Sequence, residues 1–313
     1  MPYQKLFYDS GRPLAIKTVP VESFELAEFT KNNIEADVLR LDKIHPVVSG
    51  NKWFKLKNYL LDAAQKEYKT IVTFGGAYSN HILATAWAAK EAGFDSIGII
   101  RGEESPQLSY TLEQCRECGM KLQFISRELY QDLRDADLHH DFMKRIPGAY
   151  IIPEGGQGPP GIKGSEDILQ LVEKNKYSHI LCAIGTGTMF TGLANAMNSG
   201  QHLIGISVLK GMPDLLKQFQ AFFDDPQKIN YCSVQYDYHF GGYAKRKPGL
   251  IDFMNRMYAE TGIPTDFVYT GKMFYAATDL ITKNYFQAGS KLLFMHSGGL
   301  QGNVSLSPGT LNF

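Results

Sequence analysis

From residue 52 onward, short apolar runs alternate with longer stretches whose apolar residues recur at helical spacing. Few folds satisfy such alternation. It asks for buried parallel strands joined by helices that cover both faces of a sheet. Residues 52–66 read as a helix with Trp53, Leu56, Leu60 and Ala63/Ala64 on one face. TIVTFGG then reads as a buried strand ending in glycines, and NHILATAWAAKEAG as a helix closed by Gly93. SIGIIRG is a strand, YTLEQCRECG a helix closed by Gly119, and KLQFIS a strand. The pattern predicts one helix over 128–144 and a strand at AYIIPEGG running into a loop. It next predicts a helix at SEDILQLVEKN, with Ser165 as N-cap and Glu166 and Asp167 in the first turn. HILCAIGTGTMFTGLANAMNSG reads as strand, glycine–threonine loop and helix, and LIGISVLKG as a strand. From Lys210 to about Tyr243 the pattern is irregular and aromatic-rich, open to reading as a packed β-hairpin, a loop or a pocket-closing segment. It resumes with helices at PGLIDFMNRMYAETG and MFYAATDLITKNYF and a strand at KLLFMHSGG.

Composition narrows the function classes. The 313 residues suffice for two modest domains. Lys+Arg and Asp+Glu are both 32, so no global field steers the chain toward nucleic acid or an anionic membrane. No uninterrupted apolar stretch is long enough to span a bilayer. The first twenty residues lack the basic segment and apolar run of a signal peptide. Four cysteines do not suggest a disulfide scaffold. The expectation is a cytoplasmic protein.

Two loops between a strand and a helix are candidate ligand sites. GTGTMFTG, residues 185–192, would let the backbone approach an anion, with threonine hydroxyls and free helix N–H groups as donors. No Lys follows its glycines and Phe190 stands where a dinucleotide fingerprint has its third glycine. It fits either a tight turn or a cup for a single phosphate. FGGAYSNH, residues 74–81, fits either an ordinary N-cap at Ser79 or Asn80 or a pocket for a carboxylate. Ligands of open α/β sheets gather at the carboxyl ends of strands, where both loops fall.

Lys52, directly after Ser-Gly-Asn, opens a helix where capping chemistry prefers an acid. Lys52, Lys55 and Tyr59 share one helical face, which suits a solvated basic surface or a shielded amine. Helix potential, nearby cations and desolvation would each lower the Lys52 pKa, and a neutral amine attacks aldehydes. Other signals carry less. GGQGPPG is read as a loop because Pro-Pro lacks freely oriented N–H donors. Cys115 and Cys118 form a lone C-x-x-C, His139-His140 lacks partners at useful spacing, and no metal site is expected.

A phosphate cup, a carboxylate pocket and an activated lysine together describe an enzyme using pyridoxal 5'-phosphate on an amino acid. From about residue 35 onward, SGNKWFKL, GGAYSNH, PEGG, GTGTMFTGL, VYTGKM and HSGG occur in the order found in one family. The chain resembles the 1-aminocyclopropane-1-carboxylate (ACC) deaminase/D-cysteine desulfhydrase family, within the tryptophan-synthase-β-like, fold type II enzymes. The resemblance implies two open parallel-sheet α/β domains with the cofactor in the cleft between them. The larger would comprise 1–53 and 148–313, the smaller an insertion over 54–147. It implies that Lys52 bonds the cofactor aldehyde, that Lys55 with Gly185, Thr186, Gly187 and Thr188 holds the phosphate, and that Asn80 meets the pyridoxal hydroxyl. Ser79 and the His81 backbone would hold the substrate carboxylate, beside Asn80. Tyr243 would line the substrate pocket, and Tyr269 would sit beside the ring as a catalytic residue. Thr270 stands where ACC deaminases carry Glu beside the pyridine nitrogen, and matches the desulfhydrase branch; Ser297 is a second group for that nitrogen. The implied activity is elimination from a small D-amino acid such as D-cysteine. ACC deamination and β-replacement are the alternatives, and a homodimer is the implied assembly. A nucleotide- or phosphate-binding protein without catalysis is the reading from another class.

Overall fold

The computed structural model describes residues 19–133, 135–212 and 214–313, with the backbone of two paired strands, β1 (Tyr8–Asp9) and β2 (Arg12–Pro13). The alternation resolves into two separate sheets. β3 (Val21–Ser23) and β4 (Glu35–Leu39) start the larger one, and the chain then leaves through helix α1 (Asn51–Gln65). The smaller sheet follows: β5 (Thr70–Gly75), helix α2 (Asn80–Ala92), β6 (Asp95–Arg101), β7 (Lys121–Ile125) and β8 (Ala149–Ile152). Helix α3 (Pro159–Glu166) leads back to β9 (His179–Ile184), helix α4 (Thr188–Ala196), β10 (His202–Ser207), β11 (Cys232–Gln235), helix α5 (Thr270–Thr282) and β12 (Lys291–Met295). The larger sheet has the order β11-β10-β9-β12-β4-β3 and the smaller β7-β6-β5-β8. All pairings in both are parallel except β3 with β4.

The apolar runs are strands because they are buried on both sides. In β9, Ile180, Cys182 and Ile184 join the core shared with Leu56 and Leu60 of α1 and Phe190 and Leu193 of α4. Leu181 and Ala183 point oppositely, toward Phe274 and Ala277 of α5 and Phe294 of β12. The first of these cores continues to Ile71 and Ile152 of the smaller sheet, so α1 is packed between the two sheets. Among the described residues no helix is long and apolar enough to cross a membrane.

Five sequence expectations need correction. The helix expected over 128–144 is two helices, Arg127–Asp132 and Ala136–Met143. The Asp135 carboxylate accepts from the N–H groups of Asp137 and Leu138 and starts the second afresh. The helix expected from Ser165 starts at Pro159, because prolines are tolerated at N1 and N2 where the N–H would be idle. Ser165 therefore lies inside its last turn and donates back to Gly161 O at 2.8 Å, and the tail of GGQGPPG is helical rather than loop. In the 211–243 region β11 pairs in parallel with β10 as an edge strand, so it is not half of a hairpin. Finally, Thr70 to Thr73 pair with Ala149 to Ile152, which puts β8 in the smaller sheet and beyond the boundary drawn at 147.

Candidate active site

A cavity of about 1100 Å³ opens between the sheets at the carboxyl ends of β5, β6, β8, β9 and β12. Lys52, Lys55, Ser79, Asn80, His81, Gly185, Thr186, Gly187, Tyr243, Tyr269 and Ser297 all line it. These residues come from both ends of the sequence. The fold brings them together because strand termini in parallel sheets all face one way.

The position of Lys52 is set by backbone contact. Gly50 caps α1 with φ +67°, and a Cβ there would lie 1.8 Å from Ser297 O. Gly298 meets it from the other side, where a Cβ would lie 2.9 Å from Gly50 Cα. The Asn51 N–H donates to Ser297 O at 3.2 Å, tying the SGNK segment to the end of β12. Only glycine allows this approach, and it sets the start of α1 so that Lys52, two residues on, faces the cavity. Desolvation lowers its pKa to about 8, with Asp266 pulling the other way. A substantial fraction of that amine is neutral near physiological pH.

One turn further along α1, Lys55 is buried and its Nζ donates to Gly155 O at 3.3 Å and Thr186 Oγ1 at 3.4 Å. Its pKa lies well below the usual value, through desolvation and then the nearby Lys52. An anion between Lys55 and the 185–188 loop would reverse that depression. The loop is shaped for one. Gly187 has φ +78°, and a Cβ on it would collide with the Phe219 ring at 2.1 Å, so the backbone can turn and pack only as glycine. Thr186 Oγ1 and Thr188 Oγ1 lie 3.0 Å apart, and α4 starts here with its free N–H groups. Thr188 itself is buried behind Thr186.

Across the cavity, Ser79 caps α2, its Oγ accepting the Ile82 N–H at 3.4 Å. Asn80 Oδ1 accepts from Gln301 Nε2. His81 is buried; its Nε2 lies 2.8 Å from Thr73 Oγ1, which donates to Ile152 O, so Nε2 carries the proton. Desolvation, then Lys52 and Lys55, hold its pKa far below the ordinary value and keep the ring neutral. Its buried Nδ1 has no hydrogen-bond partner among the described residues.

Tyr269 packs beside Gly185, where a Cβ would lie 3.0 Å from the Tyr269 ring. Its ring centroid is 6.0 Å from that of Tyr243 at 69°. Desolvation, and then Tyr243, push its pKa well above 10.0. Thr270 is placed differently from its expected role. Its side chain is wholly buried and does not reach the cavity. Its Oγ1 donates to Asp266 Oδ1 at 2.7 Å and accepts from Asp266 N at 2.8 Å, which uses the hydroxyl up. Asp266, whose carboxylate holds Thr270, does line the cavity, and it also accepts from the N–H groups of Val268, Tyr269 and Thr270. Ser297 lines the cavity at the end of β12.

Sequence reasoning missed Asp266, Arg101 and Glu154, which also line the cavity. Arg101 ends β6, Glu154 follows β8 within the PEGG motif and Asp266 shortly precedes α5, so their place at an element's end was the available signal. The buried cations and the close-packed glycine cup suit an aldehyde-bearing phosphate ester: an uncharged amine for the aldehyde, and Lys55 with the 185–188 loop for the phosphate.

Comparison with known proteins points to the same group. A family model described as "Pyridoxal-phosphate dependent enzyme" matches residues 16–298. A Pyrococcus abyssi protein provisionally named a 1-aminocyclopropane-1-carboxylate deaminase is 30% identical, over 82% of this chain and 81% of its own. The mitochondrial bifunctional D-cysteine desulfhydrase/1-aminocyclopropane-1-carboxylate deaminase of Arabidopsis thaliana is 28% identical, over 87% of this chain and 74% of its own. The crystal structure of an ACC deaminase homologue superposes with a TM-score of 0.77 at 26% identity, covering 96% of each chain. This chain therefore belongs to the ACC deaminase/D-cysteine desulfhydrase family of pyridoxal-phosphate-dependent enzymes.

Proposed function

We propose that the chain is a lyase that takes a small D-amino acid, D-cysteine first among them, to pyruvate, ammonia and sulfide with uptake of water. The observation that carries this reading is the Lys52 amine, lowered to about 8 and set between an anion cup and a helix-capping loop. When bound, pyridoxal 5'-phosphate supplies an electron-accepting ring conjugated to the substrate nitrogen. The chain supplies the rest. Lys55 and the 185–188 loop hold the phosphate, and Asn80 meets the ring hydroxyl. Ser79 and the His81 backbone, beside Asn80, hold the substrate carboxylate and so fix the direction of the Cα–H bond.

Between the two candidate bases the opposite directions of their pKa shifts favour Lys52. Tyr269 keeps its proton far into the alkaline range, whereas Lys52 is half-deprotonated near pH 8. Lys52 Nζ therefore takes the Cα proton and Tyr269 Oη serves as a donor, for instance to the departing thiolate. Tyr243 closes the substrate side. Ser297 is the neutral group for the ring nitrogen, and Thr270 acts only by holding Asp266 in place. The resemblance, in which ACC deaminases carry Glu where this chain has Thr270, favours elimination over ACC deamination, the second reading, which the names of the relatives keep in view. The proposal extends to a cytoplasmic homodimer.

Borohydride reduction followed by peptide mapping tests the lysine, and product assay tests the substrate. The expected results are cofactor fixed on Lys52, and pyruvate with sulfide from D-cysteine. Fixation elsewhere overturns the site. Formation of 2-oxobutyrate from ACC without sulfide from D-cysteine transfers the assignment to deamination. Turnover only with an added nucleophile transfers it to β-replacement.

A further inference from the structure

Lys272, in the first turn of α5, has no solvent exposure, yet the proposed chemistry gives its charge no task. Burying an ammonium is costly unless dipoles or counter-charges surround it. Here they do. Nζ donates to His239 O and to Gly242 O, each at 2.9 Å, and Asp266 is the carboxylate acting on it. Both carbonyls belong to the turn that leads into Tyr243. That turn carries strain at Phe240 and Ala244, both at φ 53°, while Gly241 and Gly242 take φ of 103° and 117° freely. Tyr243 is 48% exposed, so burial of its own ring does little to hold it. Ties within the turn are the Gly241 N–H to His239 Nδ1 at 2.9 Å, the Gly242 N–H to His239 O at 3.0 Å and the Lys245 N–H to Gly242 O at 3.1 Å. Toward α5, the Phe240 ring meets that of Tyr275 edge-on at 4.9 Å and Tyr238 Oη donates to Asp279 at 2.6 Å, but Lys272 is the α5 side chain that bonds the backbone of the turn itself.

We propose that Lys272 is a positioning residue: by binding both carbonyls it fastens the 239–243 turn to α5 and thereby holds Tyr243 against Tyr269 over the cavity. This rests on the reading of Tyr243 and Tyr269 as the substrate side of the site. Two residues three apart at the start of one helix then act together. Tyr269 faces the substrate, and Lys272 fixes the lid that Tyr269 meets. The expected consequence is on substrate capture rather than on cofactor loading.

The test compares wild-type and K272M holoenzymes. Methionine keeps the length of the side chain and removes the donors. Amide hydrogen exchange across 240–244 should accelerate at least tenfold in K272M, with visible cofactor absorbance unchanged. KM for D-cysteine, or for whichever substrate the product assay identifies, should rise about tenfold with kcat within threefold. In a Y243F background the same substitution should add less than twofold to KM, because the tie acts through Tyr243. Unchanged exchange in the turn, or a full tenfold KM effect in the Y243F background, overturns the proposal. If K272M does not fold, exchange in wild-type holoenzyme decides. Protection of 240–244 within tenfold of that of α5 supports the tie, and free-loop exchange overturns it. The exchange readout needs neither substrate nor turnover, so it separates failure of this inference from failure of the proposed activity.

Discussion

Replacing Gly50 by alanine tests the claim that backbone contact aims Lys52. The new Cβ would lie 1.8 Å from Ser297 O, whereas a carbon–oxygen contact needs roughly 3.3 Å. One backbone segment must therefore retreat by about 1.5 Å. The φ of +67° adds strain of order 1–3 kcal/mol for a residue with a side chain. The retreat also breaks the Asn51 N–H bond to Ser297 O at 3.2 Å and loosens that of the Gly50 N–H to Leu41 O at 3.0 Å. Each is worth about 1 kcal/mol. The sum is a loss of about 3–5 kcal/mol, or a fall of roughly 5–8 °C in Tm for a chain of this size. Displacing Lys52 by an ångström costs on the order of 100-fold in kcat/KM. Thermal unfolding by circular dichroism and steady-state kinetics with saturating cofactor measure the two effects separately. G50A with wild-type Tm and wild-type kcat/KM would refute the reasoning. A normal Tm with lost activity would leave the aiming argument standing and remove only the strain estimate.

The other expectations concern the charges around the cavity. K55M, which removes the donor to Gly155 O and Thr186 Oγ1, should weaken cofactor affinity by about 10–100-fold, measured by titrating cofactor-free enzyme, with kcat at saturation less affected. The association rate of pyridoxal 5'-phosphate with cofactor-free enzyme should rise about tenfold per pH unit and level off near pH 8, because desolvation lowers the Lys52 pKa to about 8 and only the free amine reacts. D266N should move that plateau to lower pH in stopped-flow traces, since Asp266 is the group that raises the Lys52 pKa. Y269F should reduce kcat by about 100-fold or more with cofactor absorbance intact, as expected for loss of a proton donor.

The strands were legible wherever burial on both faces left an unbroken apolar run, as in ILCAI of β9 and KLLFM of β12. The glycine-ended loops were legible for a related reason: a strand that stops at a cavity needs residues without a Cβ. What stayed hidden depended on partners distant in sequence. Cys232–Gln235 is a strand only because β10 offers it an open edge. Asp135 breaks a helical pattern through two hydrogen bonds that periodicity does not register. Thr270 looked like a residue facing the ring, yet its hydroxyl is consumed by Asp266, four positions earlier. Asp266 stands in PTDFVYTGK with nothing to distinguish it from a surface acid until the fold buries it.

The junction of Gly50 with Ser297 and Gly298 has a mechanical corollary. The reactive amine is anchored to the central strands of the larger sheet, on the same frame as the glycine–threonine cup, while the serine–asparagine–histidine loop rides on the smaller one. A rocking of one sheet against the other would then lengthen the gap between amine and loop without disturbing the span from amine to cup. Such an arrangement would let small guests come and go while a group bonded to the amine and resting in the cup kept its seat.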